Sequence, residues 1–266
     1  MSIIIYLILG ATVGLLSGLL GIGGGTIIVP GLIYIFTFLT PQIPAGAVPH
    51  MAIGTSLSTM VMTSMVSIYA HHRAGRVRWD IVKTWVFTLV LGVIAGGIIT
   101  DFLSAEILKI AFAIFLIIVA IRMFLKAGAR KDDIKGRPKN IAAKFLLLMG
   151  GLIGLASGMF GIGGGVLAVP FLTRYHISMP RAAATASAGT FPIALVGTIT
   201  FIVTGWNDVH IPWSSGYVYW PAFLGIIAAS VIFAPIGVRL TQVIPGSILK
   251  RILALILVLV AIDLIF

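Results

Sequence analysis

The pattern with the clearest chemical use is G-I-G-G-G, which occurs twice, at positions 21–25 and 161–165. Three consecutive glycines disfavour a continuous helix, because each costs about 1 kcal/mol relative to alanine. Both clusters lie between apolar runs, so we expect a helix, a break and a second helix. The second helix would point its unpaired N–H groups and positive dipole end at the break, where an anion is the natural occupant. The candidate anion-binding residues of the two breaks are Gly23, Gly24, Gly25, Gly163, Gly164 and Gly165.

Small hydroxyl residues form a second pair of candidates, one pair in each half of the chain. Thr55 and Ser56 stand early in one apolar run, and Thr185 and Ser187 stand early in another. Such hydroxyls can donate hydrogen bonds to an oxyanion. They can equally bond to their own helix or to a neighbouring helix. Both readings stay open at the level of sequence.

Other kinds of site find little support in the residue types. Cysteine is absent, the five histidines are scattered, and no paired carboxylates stand out. We therefore expect no catalytic residue, no metal site and no cofactor, and an enzyme is disfavoured. The glycine clusters also lack the Lys-Ser or Lys-Thr that follows a nucleotide-binding loop. His50 is open to two readings, as a ligand-binding or titrating group, or as an interfacial residue, which the sequence favours.

The composition requires a bilayer as the solvent. The chain is 266 residues long, 59% hydrophobic and 9% charged, with a mean hydropathy of +1.16, whereas soluble domains are about 25% charged. At about 20 residues per crossing, roughly eight to ten transmembrane segments fit. The net charge of +11 comes from short basic segments between apolar runs, as in cytoplasmic loops, so we expect a multi-pass cell-membrane protein and no nucleic-acid partner.

An internal repeat organises these segments. Residues 14–32 and 154–172 are identical at 12 of 19 positions with a constant offset of 140. We expect a first transmembrane repeat at 1–125, a basic cytoplasmic linker at 126–144 and a second repeat at 145–266. The apolar runs are roughly 3–20, 26–39, 51–70, 81–100, 107–125, 145–160, 166–175, 182–204, 219–238 and 251–266. Two of them, 26–39 and 166–175, are short and suit half-helices or tilted pieces.

Loop charges predict that the two repeats are inverted. Loop 71–78 is basic and is expected in the cytoplasm, whereas the equivalent loop around Asn207 and Asp208 lacks Lys and Arg. Conversely, 101–106 lacks basic residues, while Arg239 and Lys250 flank its equivalent. Opposite charge bias at equivalent loops is typical of inverted-topology repeats. The alternative is a parallel repeat whose loop charges differ by accident.

The doubled G-I-G-G-G with its trailing Val-Pro, the T-S and T-A-S segments, the stretch 216–222 and the run 234–240 resemble the TauE/SafE sulfite exporter family. The resemblance covers nearly the whole chain. It implies a polytopic transporter that exports sulfite or organosulfonates such as sulfoacetate. The T-A-S at 185–187 departs from a plain T-S.

The pattern and the resemblance together predict an all-α polytopic membrane protein with an inverted-topology repeat and two glycine-rich broken hairpins. Its predicted function is secondary export of small anions by alternating access between the halves. The alternative is a passive anion channel of the same architecture. The expected partners are a small anionic substrate and the lipid bilayer, and the sequence is compatible with a proton or sodium as coupling ion and with a homo-oligomer.

Overall fold

A computed structural model describes residues 2–20, 24–125, 141–208, 210–240 and 246–265. Within these ranges the chain folds into ten α-helices and one short β-hairpin. The first five helices are α1 (Ser2–Leu20), α2 (Gly25–Leu39), α3 (Val48–Arg73), α4 (Trp79–Phe102) and α5 (Ala105–Leu125). The other five are α6 (Ala143–Phe160), α7 (Gly165–Arg174), α8 (Met179–Thr204), α9 (Trp220–Leu240) and α10 (Gly246–Ile265).

The helices follow the apolar runs of the sequence, and the prediction of an all-α polytopic fold is confirmed. Among the described residues, four helices are long and apolar enough to cross a membrane, namely α3, α4, α6 and α8. By contrast, α7 has 10 residues and α2 has 15. At 1.5 Å per residue they reach about 15 and 22 Å, short of the roughly 30 Å of a hydrocarbon core. They are therefore half-helices, as their short runs predict.

The predicted linker falls mostly outside the described residues, which omit 126–140. Helix α6 begins at Ala143, two residues before the expected start of the second repeat. Lys144 therefore belongs to the first turn of a helix. A lysine can start a membrane helix because its charged end can extend along the helix to the interface.

The main helix pairs join the first half to the second. Helix α1 packs on α9, α6 packs on α4, α3 packs on α8, and α5 packs on α10. Exchanging α1–α5 for α6–α10 maps these four pairs onto one another. The core of the molecule is thus built between the halves rather than within each of them.

Glycines allow two of these pairs to approach closely. A Cβ on Gly14 of α1 would lie 2.8 Å from the carbonyl oxygen of Ser230 in α9. Gly154 and Gly158 of α6 lie in the same way against the Leu89 and Val93 carbonyls of α4. Small residues that bring helix backbones together are a common means of association in lipid. These three glycines belong to the G-x-x-x-G spacings at 14–18 and 154–158, and their contacts give them a packing role.

Helices α3 and α8 run antiparallel at the centre. A Cβ on Gly54 would lie 3.1 Å from Cβ of Phe201, and one on Gly197 would lie 3.0 Å from Leu57 Cδ1. Advancing along α3 from 54 to 57 therefore corresponds to moving back along α8 from 201 to 197. This antiparallel register brings the start of α3 to the end of α8.

A β-hairpin links α8 to α9. Strands β1 (Ser214–Ser215) and β2 (Val218–Tyr219) pair antiparallel. Their turn contains Gly216 with φ +53°, in the left-handed region that favours glycine. Side chains of β2 are buried, so this short element packs against the helices.

Many large apolar side chains point outward. Phe87, Phe102 and Val203 are 66%, 84% and 67% exposed. Such exposure would be costly in water, but it is the normal condition of a surface that faces lipid.

Candidate functional site

The second glycine cluster forms a tight backbone break. Helix α6 ends at Phe160, and Gly161 caps it with φ +62° and a 2.8 Å hydrogen bond from its N–H to the Ser157 carbonyl. Gly163 follows with φ +60°, and α7 begins at Gly165. Two left-handed residues within three positions require glycine, since a Cβ there costs roughly 1–2 kcal/mol. The predicted helix, break and helix are present at this cluster.

The first cluster is described only in part. Gly23 lies outside the described residues, as do Gly21 and Ile22. Helix α1 ends at Leu20 and α2 begins at Gly25, with Gly24 as its N-cap. The chain therefore also leaves one helix and starts another here.

The helices that start after the breaks have buried, uncapped N-termini. Gly24 and Gly164 hold the N-cap positions of α2 and α7, and neither position has a side-chain cap hydrogen bond. Both glycines are buried, as are Gly25 and Gly165. A buried helix start without a capping partner leaves N–H donors and a positive dipole end to be satisfied by water or a ligand.

The two breaks touch each other. A Cβ on Gly25 would lie 2.6 Å from the Gly161 carbonyl oxygen and 2.7 Å from Cα of Ile162. It would also lie 2.6 Å from Cε of Met60, and a Cβ on Gly163 would lie 2.7 Å from Sδ of the same methionine. Met60 is 1% exposed, so its thioether fills the space beside both breaks.

Ser56 and Thr55 connect α3 to the second half. The Ser56 hydroxyl donates to the Gly161 carbonyl at 2.8 Å, directly at the break. The Thr55 hydroxyl oxygen accepts a 3.0 Å hydrogen bond from the backbone N–H of Tyr219, next to the first residue of α9. Both threonine and serine are fully buried. Ser56 therefore belongs to the glycine site, and Thr55 lies one residue away along the same helix.

Thr185 and Ser187 have different partners. Thr185 Oγ1 donates to the Arg181 carbonyl at 2.7 Å and accepts from the backbone N–H of Arg78 at 3.1 Å. Ser187 donates to the Ala183 carbonyl at 3.0 Å and accepts from Ser67 at 3.2 Å. Among the hydrogen bonds of the described chain, none joins these two residues to either break. Their hydroxyls serve α8 and its neighbours in this arrangement.

Two contacts of the site are not evident in the sequence. Met60 lies between the breaks, and Thr190 Cγ2 lies 3.0 Å from where a Cβ on Gly163 would stand. Met60 is apolar and Thr190 is small, as many residues of any transmembrane helix are, so neither residue type marks a site. Residues one helical turn apart share a face, so Met60 could have been grouped with Ser56 once that serine was assigned to the site.

His50 is buried inside the protein. Its side chain is 5% exposed, and its ring stacks on Tyr217 with the centroids 5.2 Å apart. The β-hairpin between α8 and α9 covers this side chain at the start of α3, and its interfacial depth stays a prediction. His50 and Tyr217 are 167 residues apart, and nothing in the sequence indicates that they are in contact.

An apolar cleft of about 660 Å³ runs along α2. Its walls come from α1, α2, α5 and α10, and its polar members are Thr12, Thr26, Tyr34, Thr37, Lys109 and Asp263. Thr26 follows the first break directly, whereas none of the described residues of the second break lines the cleft.

In the described part of the chain, no three His, Asp or Glu residues are grouped to hold a metal ion.

The ten helices of the described residues and their outward apolar side chains are the architecture of a polytopic membrane protein. The family model of the sulfite exporters TauE/SafE matches residues 6–264. The chain therefore belongs to the TauE/SafE family, and it is a multi-pass membrane transporter rather than an enzyme.

Relatives of similar sequence are also described as membrane transporters. A probable membrane transporter protein of Haemophilus influenzae is 36% identical over 98% of this chain and 97% of its own length. The probable membrane transporter protein MJ0441 of Methanocaldococcus jannaschii is 32% identical over 95% of this chain and 91% of its own. YunE of Bacillus subtilis, of the same description, is 25% identical over 100% and 98%. No solved structure gives a significant match.

Proposed function

We propose that this protein is a secondary transporter that exports small sulfur oxyanions, such as sulfite or organosulfonates, by alternating access. The observation that carries the proposal is the contact between the two glycine breaks, where Gly25 meets Gly161 and two uncapped helix N-termini are buried. Two positive dipole ends in a low-dielectric interior favour an anion between them. The family name supports a sulfur oxyanion as that anion.

The binding residues we propose are the amides of the breaks together with the nearby hydroxyls. Those that the structure describes are Gly24, Gly25, Gly163, Gly164, Gly165, Thr55, Ser56, Thr185 and Ser187. Ser56 is the hydroxyl closest to this chemistry, because it already donates to the Gly161 carbonyl. When the breaks separate, its hydrogen becomes available to an oxyanion. Thr185 and Ser187 would need a larger rearrangement, since their hydrogens are held by α8 carbonyls.

Alternating access requires two similar states, which inverted halves provide. The main helix pairs map onto one another when α1–α5 and α6–α10 are exchanged. The equivalent helices α3 and α8 run antiparallel, and a two-fold axis in the membrane plane produces that relation. These two observations support an inverted repeat.

The test is transport by the purified full-length protein in proteoliposomes, with ³⁵S-labelled sulfite and sulfoacetate as probes. We expect saturable counterflow that unlabelled sulfonate inhibits. Gly25→Leu should abolish this counterflow, because the leucine side chain would overlap the Gly161 carbonyl and prevent the two breaks from meeting. Gly151→Leu is the matched control, because a Cβ at Gly151 of α6 meets no atom within 4 Å.

Two outcomes would contradict the proposal. The absence of flux for every anion tried, in vesicles whose protein is folded and inserted, would rule out an anion transporter. Flux that never saturates and that no ion gradient drives uphill would identify a passive channel instead.

A further inference from the structure

The geometry around His50 determines which nitrogen of its neutral ring carries the hydrogen. Its Nε2 lies 3.0 Å from the backbone carbonyl oxygen of Thr100. A carbonyl oxygen only accepts, so Nε2 carries the hydrogen and Nδ1 of the neutral ring has a bare lone pair. Nδ1 is buried and has no hydrogen-bond partner in the described part of the chain. A buried acceptor left in that condition has lost its hydrogen bonds to water without replacement, which is unfavourable.

Three further titratable groups gather at this end of α3. Tyr217 stacks on the imidazole, with the rings inclined by 29°. Its phenol donates to Asp208 Oδ2 at 3.1 Å. Asp101, at the end of α4, adds its charge to the same phenol. Asp101 Oδ1 is buried and, like His50 Nδ1, has no hydrogen-bond partner among the described residues.

The phenol of Tyr217 stays protonated in this setting. Burial raises its pKa well above the usual value, and the negative charges of Asp101 and Asp208 raise it further. Tyr217 therefore acts as a donor and does not take up a proton. His50 Nδ1 and the two carboxylates are the acceptors that remain.

We propose that His50, Asp101, Asp208 and Tyr217 form the binding site of a proton that drives transport, with His50 Nδ1 as the atom that takes it up. A proton from the aqueous phase adds to Nδ1, no other bond breaks, and the imidazolium is stabilised by the carboxylates. The same proton leaves when the site opens to the other side. This inference rests on the proposed function, because it assigns the coupling ion of that transporter.

The cluster is connected to the glycine site through α3. Gly54 lies one turn after His50, and a Cβ there would lie 2.7 Å from the Tyr217 carbonyl oxygen. The next two residues, Thr55 and Ser56, contact the start of α9 and the second break. Protonation of the imidazole adds a positive charge at the start of α3. The following turn of α3 carries Ser56, whose hydroxyl bonds to the second break at Gly161. An imidazole nitrogen at the centre favours a proton over sodium, which prefers oxygen ligands as other hard cations do.

The first measurement is sulfoacetate accumulation in proteoliposomes against its own gradient. Sulfoacetate is preferred to sulfite here because sulfite equilibrates with sulfur dioxide, which crosses lipid unaided. We expect a pH gradient to drive wild-type accumulation and to acidify the compartment that protons enter. H50Q keeps a donor for the Thr100 carbonyl and removes the titrating lone pair. This variant and D101N should lose the response to the pH gradient, whatever rate of exchange remains.

Matched controls are H210Q and E106Q, which change an exposed histidine and an exposed acid near the same end of the helices. Both should keep the response of the wild type. A pH-gradient response that survives in H50Q would overturn the inference. So would accumulation that a sodium gradient drives and a pH gradient does not.

A second measurement needs no transported anion. Nuclear magnetic resonance of ring-labelled histidine in nanodiscs gives the protonation state of each imidazole, and the signal missing in H50Q identifies His50. In the wild type we expect this signal to change from the Nε2–H form to the doubly protonated form as the pH is lowered. A signal that stays singly protonated throughout would overturn the proton site. A titrating signal without any anion flux would instead leave the proton site standing and refute the proposed function.

Discussion

Gly25 has no space for a side chain, because the backbone of the other half occupies the position of its Cβ. The nearest backbone atoms there are the Gly161 carbonyl oxygen and Cα of Ile162, at 2.6 and 2.7 Å. Backbone atoms cannot swing aside as a flexible side chain can. The glycine is therefore required by contact with the partner half, in addition to any role of its amide.

Gly25→Ala should lower the stability of the protein. Overpacking of this kind costs about 1–3 kcal/mol. Gly151→Ala is the control, since its Cβ would meet no atom within 4 Å and alanine favours a helix by up to about 1 kcal/mol. Thermal unfolding of both variants in the same detergent measures the difference. Equal midpoints for Gly25→Ala and the wild type would show that the breaks do not pack as described.

Ser56 makes a hydrogen bond whose loss leaves a buried carbonyl unpaired. Ser56→Ala should cost about 1–3 kcal/mol, because the Gly161 oxygen loses the hydroxyl that bonds to it. Ser58→Ala is the matched variant, since Ser58 is equally buried but bonds within its own helix to the Thr55 carbonyl at 2.7 Å. We expect Ser58→Ala to cost under about 1 kcal/mol. The same cost in chemical unfolding of both variants would contradict a specific role for Ser56.

At the scale of elements, each half fixes the start of a long helix in the other. Thr55 of α3 accepts from the N–H of Tyr219 just before α9, and Thr185 of α8 accepts from the N–H of Arg78 just before α4. The donors at the first turn of a helix have no partner within it. A threonine from the opposite half satisfies one such donor in each case.

Replacing either threonine by valine should destabilise the protein to a similar degree. Valine keeps the shape and removes the acceptor, which leaves a backbone N–H unpaired at a cost of about 1–3 kcal/mol. The two effects should add within about 0.5 kcal/mol, because the residues share no partner. Thr84→Val is the control, as the Thr84 hydroxyl bonds to the Asp80 carbonyl in its own exposed turn. Strong non-additivity in the double variant would show that the two helix starts are coupled.

At the scale of the whole molecule, the proposed inverted repeat predicts which loops share a side of the membrane. The wild-type chain has no cysteine, so single cysteines report on sidedness without background. We expect Ala74→Cys to react from the cytoplasm, and Ser104→Cys and Asn207→Cys from outside. All three positions are exposed. The measurement is labelling with a membrane-impermeant maleimide in intact cells and in inverted vesicles.

The pair at 74 and 207 decides the question, because these loops are equivalent in the two halves. Labelling from opposite sides would agree with inversion. Labelling of both from the same side would identify a parallel repeat and remove the structural basis proposed for alternating access.

The sequence by itself determined the solvent, the helices and the family. Apolar runs long enough for a bilayer leave the backbone no alternative to helices, since each N–H and C=O must be paired within its own segment. Their limits were therefore close to those observed, including the short α2 and α7. The glycine clusters likewise marked breaks, because backbone conformation is a local property.

Only the tertiary structure decided which parts meet. It placed Gly25 against Gly161, inserted Met60 beside both breaks and covered His50 with Tyr217. It also joined Thr185 to Arg78, where the sequence had grouped that threonine with the glycines. These contacts join residues up to 167 positions apart. The presence of a hydroxyl or a thioether in the sequence does not indicate which distant residue it contacts. The packing of one half against the other supplies that information, because it depends on the shapes of all ten helices at once.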